Sequence, residues 1–97
     1  MRMMVTVSIG AKAGNQAIKD GSLPRTMDTF IQQFKPEAAY FTTEGGDRTA
    51  IFVVSMADSS LMPAIAEPFF AALGASVDFR PVMNGDELRG GLQKLQH

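Results

Sequence analysis

Two adjacent glycines, Gly45 and Gly46, separate two segments whose composition favours β-strands. The segments are EAAYFTT and RTAIFVVSM, and both are rich in aromatic and β-branched residues. A phosphate-binding loop would need a lysine followed by Ser or Thr and then a helix, whereas a strand follows here. Glu44 and Asp47 flank the glycines and would repel a phosphate group. The pattern therefore predicts a β-hairpin.

The hairpin determines which residues of its two strands stand opposite each other. A two-residue turn and a four-residue loop over residues 44–47 give the same register, in which Tyr40 pairs with Ile51. We expect the four-residue loop, because it keeps the carboxylates of Glu44 and Asp47 apart.

This register divides the sheet into two faces. The more apolar face is expected to pack against the helices, and it holds Met3, Val5, Val7, Ile9, Phe41, Phe52, Val54, Met56, Val77 and Phe79. The other face mixes polar and apolar side chains: Met4, Thr6, Ser8, Tyr40, Thr42, Thr49, Ile51, Val53, Ser55, Asp78 and Arg80. A face open to water would carry more charge. We therefore expect the second face to be covered, most simply by the same face of a second copy of the chain.

The remaining elements of the N-terminal half follow from periodicity and from residues that begin or end helices. Alternation of apolar and polar residues predicts a first strand that ends at Ile9. The segment GAKAGNQAIKDGS predicts a loop with a short helical turn over residues 15–20. Helical spacing then predicts a helix over residues 22–34, with Ser22 as its N-cap and Pro36 beyond its end.

The C-terminal half predicts a helix, an edge strand and a short last helix. Residues 58–73 form the helix, and Pro68 within it predicts a kink that opens a cleft between this helix and the sheet. The next strand contains Pro81, which favours the edge of a sheet. Asn84 and Glu87 have the spacing of a capping box at the start of the last helix.

The element order is β-α-β-β-α-β-α, and its first six elements match the ferredoxin-like βαββαβ pattern. We therefore expect residues 1–97 to form one α+β domain with a C-terminal helix. Its four-stranded antiparallel sheet has the first and third strands in the centre and the helices on one face.

Composition excludes several functional classes. The chain has a net charge of −1, no cysteine and a single histidine, His97, at its last position. Cysteine-based catalysis, disulfides and thiolate metal sites are absent, and we expect no metal and no cofactor. The near-neutral charge favours neither nucleic acid nor an anionic membrane as a partner. Without a signal peptide or a membrane-spanning run in the sequence, we expect a cytoplasmic protein.

One group of side chains suggests a ligand site. Asp78 and Arg80 are two residues apart in a predicted strand, so they share a face of the sheet, and Tyr40 is assigned to the same face. Together they could orient a small polar ligand, with Arg80 binding a carboxylate. The alternative is a structural one, in which the three residues form an ion pair and a hydrogen bond between two subunits. No catalytic residue is indicated.

Two stretches of the sequence carry a resemblance to known proteins. PEAAYFTTEGGDRTAIFVVSM and AEPFFAALGASVDFRPVMNGDEL resemble a group of small uncharacterised bacterial proteins within the dimeric α/β-barrel superfamily. The resemblance covers most of the chain. It implies a homodimer whose sheets pack together and a ligand cleft between sheet and helices. Relatives in the superfamily include cofactor-free monooxygenases and isomerising enzymes.

Two functional hypotheses follow. The first is a homodimeric binding or interaction module with a small-molecule cleft. The second is a cofactor-free enzyme, of the monooxygenase or isomerase type, that acts on a small and partly apolar metabolite.

Overall fold

The computed structural model of the protein describes residues 1–95, and Gln96 and His97 lie outside the described residues. In chain order the elements are β1 (Arg2–Ile9), α1 (Ala11–Asp20), α2 (Ser22–Phe34), β2 (Ala38–Glu44), β3 (Asp47–Ser55), a 3-10 turn (Ser59–Leu61), α3 (Met62–Leu73), β4 (Ser76–Pro81) and α4 (Gly85–Gln93). The strands form one antiparallel sheet in the order β2-β3-β1-β4. The α+β class and the four-stranded antiparallel sheet are thus confirmed, and the architecture is compatible with a ferredoxin-like arrangement.

The core lies between one face of the sheet and helices α1, α2 and α3. Every second residue of β1, from Met3 to Ile9, is buried. Three aromatic rings form the centre of the core, with the centroid of Phe30 lying 4.6 Å from that of Phe52 and 5.0 Å from that of Phe69. Phe52 and Phe69 are completely buried, so this cluster joins β3 to α2 and α3.

The hairpin between β2 and β3 has the predicted register, with Tyr40 opposite Ile51. The four-residue loop, however, is wrong, because Glu44 and Asp47 are themselves a cross-strand pair. Gly45 and Gly46 form the turn alone, with φ angles of 59° and 83°. Two successive positive φ angles are the geometry of a tight hairpin turn that matches strand twist, and glycine adopts them without strain.

The predicted loop after β1 is also wrong, because residues 11–20 form the complete helix α1. Its buried positions are small, Gly14 and Ala17, and so they do not produce the large apolar stripe by which helices are recognised in a sequence. Gly21 ends α1 in the left-handed conformation, with φ of 76°, and directly precedes α2.

The start of α2 differs in detail from the prediction. Gly21, rather than Ser22, occupies the N-cap position. The Ser22 backbone N–H instead donates to Oδ1 of Asp20 at 2.9 Å. The apolar stripe is as expected, with Met27 and Phe30 buried against the core. The helix ends at Phe34, just ahead of Pro36.

The last helix, α4, begins with the predicted capping box. Asn84 Oδ1 accepts from the Glu87 backbone N–H, and Glu87 Oε1 accepts from the Asn84 backbone N–H, both at 2.8 Å. Its leucines nevertheless remain accessible, and Leu88 and Leu92 are 46% and 51% exposed. The radius of gyration is 15.4 Å, whereas a compact domain of this length has about 12.5 Å. The chain is therefore elongated.

Candidate functional site

One face of the sheet is turned away from the core, and we call it the open face. Its side chains form three rows, each of which crosses all four strands. From β2 to β4, the rows are Ala38-Val53-Met4-Arg80, Tyr40-Ile51-Thr6-Asp78 and Thr42-Thr49-Ser8-Ser76. Its centre is apolar and only partly covered, since Met4, Ile51 and Val53 have intermediate exposure. At its two edges, Tyr40, Thr42, Ser76, Asp78 and Arg80 are exposed, whereas Thr49 on β3 is buried.

A depression of about 430 Å³ on the open face contains two of the three predicted site residues, Asp78 and Arg80. Both belong to β4, and both side chains are exposed. The other residues of its wall are Met4, Thr6, Glu44, Ile51 and Phe79. Among residues 1–95, neither Asp78 nor Arg80 takes part in an ion pair. Their charges are therefore available to a ligand or to another chain.

Glu44 was not predicted to belong to the site. It lies beside the hairpin turn of β2, at the corner of the sheet diagonally opposite Arg80. The right-handed twist of a sheet turns diagonally opposite corners toward the same side, which accounts for Glu44 in the same wall. The strand register, which the sequence predicts, is enough to place Glu44 on the open face. Its place in the wall of the depression depends on the sheet twist, which only the assembled sheet has.

The third predicted residue, Tyr40, lies apart from the other two within one chain. It stands in the same row as Asp78 but on β2, at the opposite edge of the sheet. Three strand spacings separate the two backbones, which is about 14 Å. Tyr40 is 68% exposed and does not line the depression. The structure therefore brings Asp78 and Arg80 together and leaves Tyr40 outside their reach.

The chemistry of the depression is that of charge recognition. A guanidinium group binds a carboxylate through two parallel hydrogen bonds, which suits Arg80. Asp78 and Glu44 are acceptors for ammonium or hydroxyl groups, and Met4 and Ile51 offer apolar contact. Two carboxylates and one guanidinium together favour a ligand that carries a positive charge as well as a negative one.

A second cavity lies elsewhere than the sequence predicted. Pro68 was expected to open a cleft between its helix and the sheet. Instead, a groove of about 560 Å³ that includes Pro68 runs between α2 and α3, with Phe30, Phe34 and Ala72 in its wall. Pro68 is exposed while its neighbour Phe69 is completely buried. The proline thus faces away from the sheet, and α3 stays packed on the core.

A charged cluster joins α4 to the start of the sheet. Arg2 donates from Nε to Glu37 Oε1 at 2.5 Å and from Nη1 to Glu87 Oε1. Hydrogen bonding to Glu37, together with the charges of both acids, raises the pKa of Arg2. The Asn84 backbone N–H, followed by Arg2, lowers the pKa of Glu87. The groups satisfy one another, so the cluster has a structural role at the base of α4.

Two observations concern metals and membranes. Among the described residues, no group of three or more acidic, histidine or cysteine side chains is placed to hold a metal ion. None of the helices within residues 1–95 is long and apolar enough to cross a membrane. The single histidine of the sequence, His97, lies outside the described residues.

Comparison with known proteins gives no assignment. No protein-family model matches the chain, and no curated protein matches it either.

Proposed function

We propose that this protein is a homodimeric binding module of the dimeric α/β-barrel type, in which two copies pack open face to open face. In this arrangement the depression beside Asp78 and Arg80 binds a small molecule that carries a carboxylate. The observation that supports the proposal most directly is the partly exposed apolar centre of the open face, formed by Met4, Ile51 and Val53.

The burial of that centre supplies the driving force for association. Apolar area gains about 25 cal/mol for each Å² removed from water. A four-stranded sheet with helices on one face has a single way to bury its other face, which is to meet another layer. The charged residues of the open face lie at its margin, as in the polar rim of protein interfaces.

Light scattering coupled to size exclusion tests the dimer at micromolar concentration. We expect the wild-type chain to show twice its monomer mass of 10.5 kDa. Ile51→Lys places a charge at the centre of the interface and should yield monomers. Ile18→Lys is the matched control, because Ile18 is a 53% exposed isoleucine on α1, and it should remain dimeric.

Two outcomes would contradict the proposal. One is a wild-type monomer at these concentrations. The other is an Ile51→Lys variant that stays dimeric while its circular dichroism spectrum matches the wild type.

A second candidate function is a cofactor-free enzyme acting on a small, partly apolar metabolite. It is favoured by the mixed wall of the depression, where Asp78 and Arg80 stand beside Met4 and Ile51. A covering subunit would exclude water from this wall and strengthen the influence of Asp78 and Arg80 on a bound substrate.

Metabolite depletion separates the two functions. The protein is incubated with a bacterial metabolite extract, and the extract is then analysed by mass spectrometry. An enzyme depletes its substrate well beyond one molecule per site, and Asp78→Asn abolishes the loss. A binding module retains its ligand in proportion to the number of sites and releases it unchanged on denaturation.

A further inference from the structure

We infer that the two open faces pair about a two-fold axis parallel to the strands, so that the partner's Tyr40 completes the site formed by Asp78 and Arg80. The inference rests on the proposed homodimer and goes further, because it specifies the arrangement of the subunits and the residue that each gives to the other's site. It also predicts a class of ligand.

Symmetry limits how two identical sheets can meet face to face. The two-fold axis must lie in the plane between them, and in aligned packing it runs either along the strands or across them. With the axis across the strands, each strand would pack on the same strand of the partner subunit, and the two would run in opposite directions. An axis along the strands would place β2 on the partner's β4, and β3 on the partner's β1, since the sheet order is β2-β3-β1-β4.

With the axis across the strands, side chains that repel each other or differ in polarity would be placed in contact across the interface. When that axis passes through the middle row of the open face, Asp78 faces Asp78 of the partner subunit. Two carboxylates in an interface repel each other, and desolvation increases the cost. The same axis would set Met4 against the partner's Ser8, so that an apolar side chain would meet a hydroxyl group.

With the axis along the strands, each row of the open face packs on the same row of the partner subunit. Val53 then meets the partner's Met4, which places the two apolar residues of one row together. In the middle row, Asp78 meets the partner's Tyr40. This arrangement buries the apolar centre and pairs no like charges among these rows, so we favour it.

The partner's Tyr40 would then lie over the depression. Its ring is 68% exposed in the single chain, so it is free to make this contact. If the two sheets cross at about 30°, each edge strand is shifted along its length by about one residue relative to the partner strand that it faces. A tyrosine side chain is long enough to span that shift. Its hydroxyl group can donate to Asp78 or to a ligand carboxylate, while its ring covers the apolar part of the depression.

The charges of the completed site define its ligand. Arg80 binds a carboxylate, whereas Asp78, two residues away on the same face of β4, binds an ammonium group, and Met4 contacts a short aliphatic chain. A small zwitterion such as an aliphatic amino acid satisfies all three requirements. A simple carboxylic acid would bring a second negative charge beside Asp78 without an ammonium group to offset it.

Cross-linking of cysteine variants tests the axis. The chain has no cysteine, so Tyr40→Cys and Asp78→Cys each introduce one thiol, and a short bismaleimide spans the separation of about 10 Å between packed sheets. We expect covalent dimers when the two variants are mixed and exchanged, and none from either variant alone. Covalent dimers from Asp78→Cys alone would overturn the inference while leaving the homodimer intact. A monomer mass for the uncross-linked wild type would instead remove the homodimer itself.

Binding of L-leucine tests the shared site. Calorimetry should detect leucine binding to the wild type, with 4-methylpentanoate and 3-methylbutylamine bound at least about tenfold more weakly, because each lacks one charged group. Equal binding of all three, or no binding of leucine, would overturn the ligand class.

Mixed dimers show whether Tyr40 acts across the interface. Tyr40→Ala and the double variant Asp78→Asn/Arg80→Gln should each lose leucine affinity by about tenfold or more. When they are mixed, a heterodimer has one site with both Asp78 and Arg80 intact and the partner's Tyr40 present. We therefore expect about one site in four to regain wild-type affinity after random exchange. No recovery in a mixture shown to contain heterodimers would overturn the contribution of Tyr40 across the interface.

Discussion

The guanidinium group of Arg48 lies directly over Gly14, so closely that a Cβ atom on Gly14 would be 2.5 Å from Arg48 Nη1. Arg48 extends from β3 across α1 and donates from Nη2 to Oδ1 of Asn15 at 3.0 Å. The absence of a side chain at Gly14 therefore lets the arginine cross the helix and join it to the sheet.

This contact predicts a coupling between the two positions. Alanine favours a helix interior over glycine by about 1 kcal/mol, so Gly14→Ala should stabilise the protein by about that amount when Arg48 is also replaced by alanine. In the presence of Arg48 the gain should be smaller, because the guanidinium group must move. Urea unfolding of the four proteins of this double-mutant cycle measures the difference, and strictly additive effects would contradict the contact.

Two neighbouring phenylalanines on α3 should respond differently to truncation. Phe69→Ala removes a completely buried ring from the central aromatic cluster and should lower the free energy of unfolding by about 3–5 kcal/mol. Phe70→Ala is the matched control, since Phe70 is 42% exposed, and should cost about 1 kcal/mol or less. Chemical denaturation of both variants provides the comparison, and equal losses would contradict the assigned orientation of α3.

The hairpin turn should be sensitive to backbone conformation alone. A Cβ atom on Gly45 would meet no other atom within 4 Å, but its φ of 59° is unfavourable for alanine. Gly45→Ala should therefore destabilise the protein by about 1–2 kcal/mol. Gly45→Asn should cost less, because asparagine tolerates positive φ. Thermal unfolding distinguishes them, and an alanine variant as stable as the wild type would argue against the two-residue turn.

The base of α4 should lose stability in acid. Hydrogen bonding from the Asn84 backbone N–H, followed by the charge of Arg2, lowers the pKa of Glu87 below its ordinary value of 4.5. A carboxyl group with a lowered folded-state pKa stabilises the fold above its unfolded pKa, and that contribution disappears as the pH falls through the lower folded value. The NMR chemical shift of the Asn84 amide should report the transition, and Glu87→Gln should abolish it. A transition that persists in Glu87→Gln would assign it to another group.

Much of the fold was predictable because its signals are local. Alternation in β1, the glycine turn and the Asn84–Glu87 spacing each involve residues within one or two elements. Helix α1 was missed because its buried residues, Gly14 and Ala17, are small, and their burial depends on how closely the helix approaches β3. The predicted four-residue loop over residues 44–47 was also wrong, since repulsion between carboxylates that contact water is weak and two glycines suffice for the turn.

The candidate site shows the same division between local and tertiary information. The sequence alone placed Tyr40, Asp78 and Arg80 on one face, because side chains alternate along a strand with a period of two. Only the tertiary structure showed that Asp78 and Arg80 share a depression with Glu44, while Tyr40 stands at the far edge of the sheet. Strand order and twist decide distances across a sheet, and both arise from the packing of segments that are far apart in the chain.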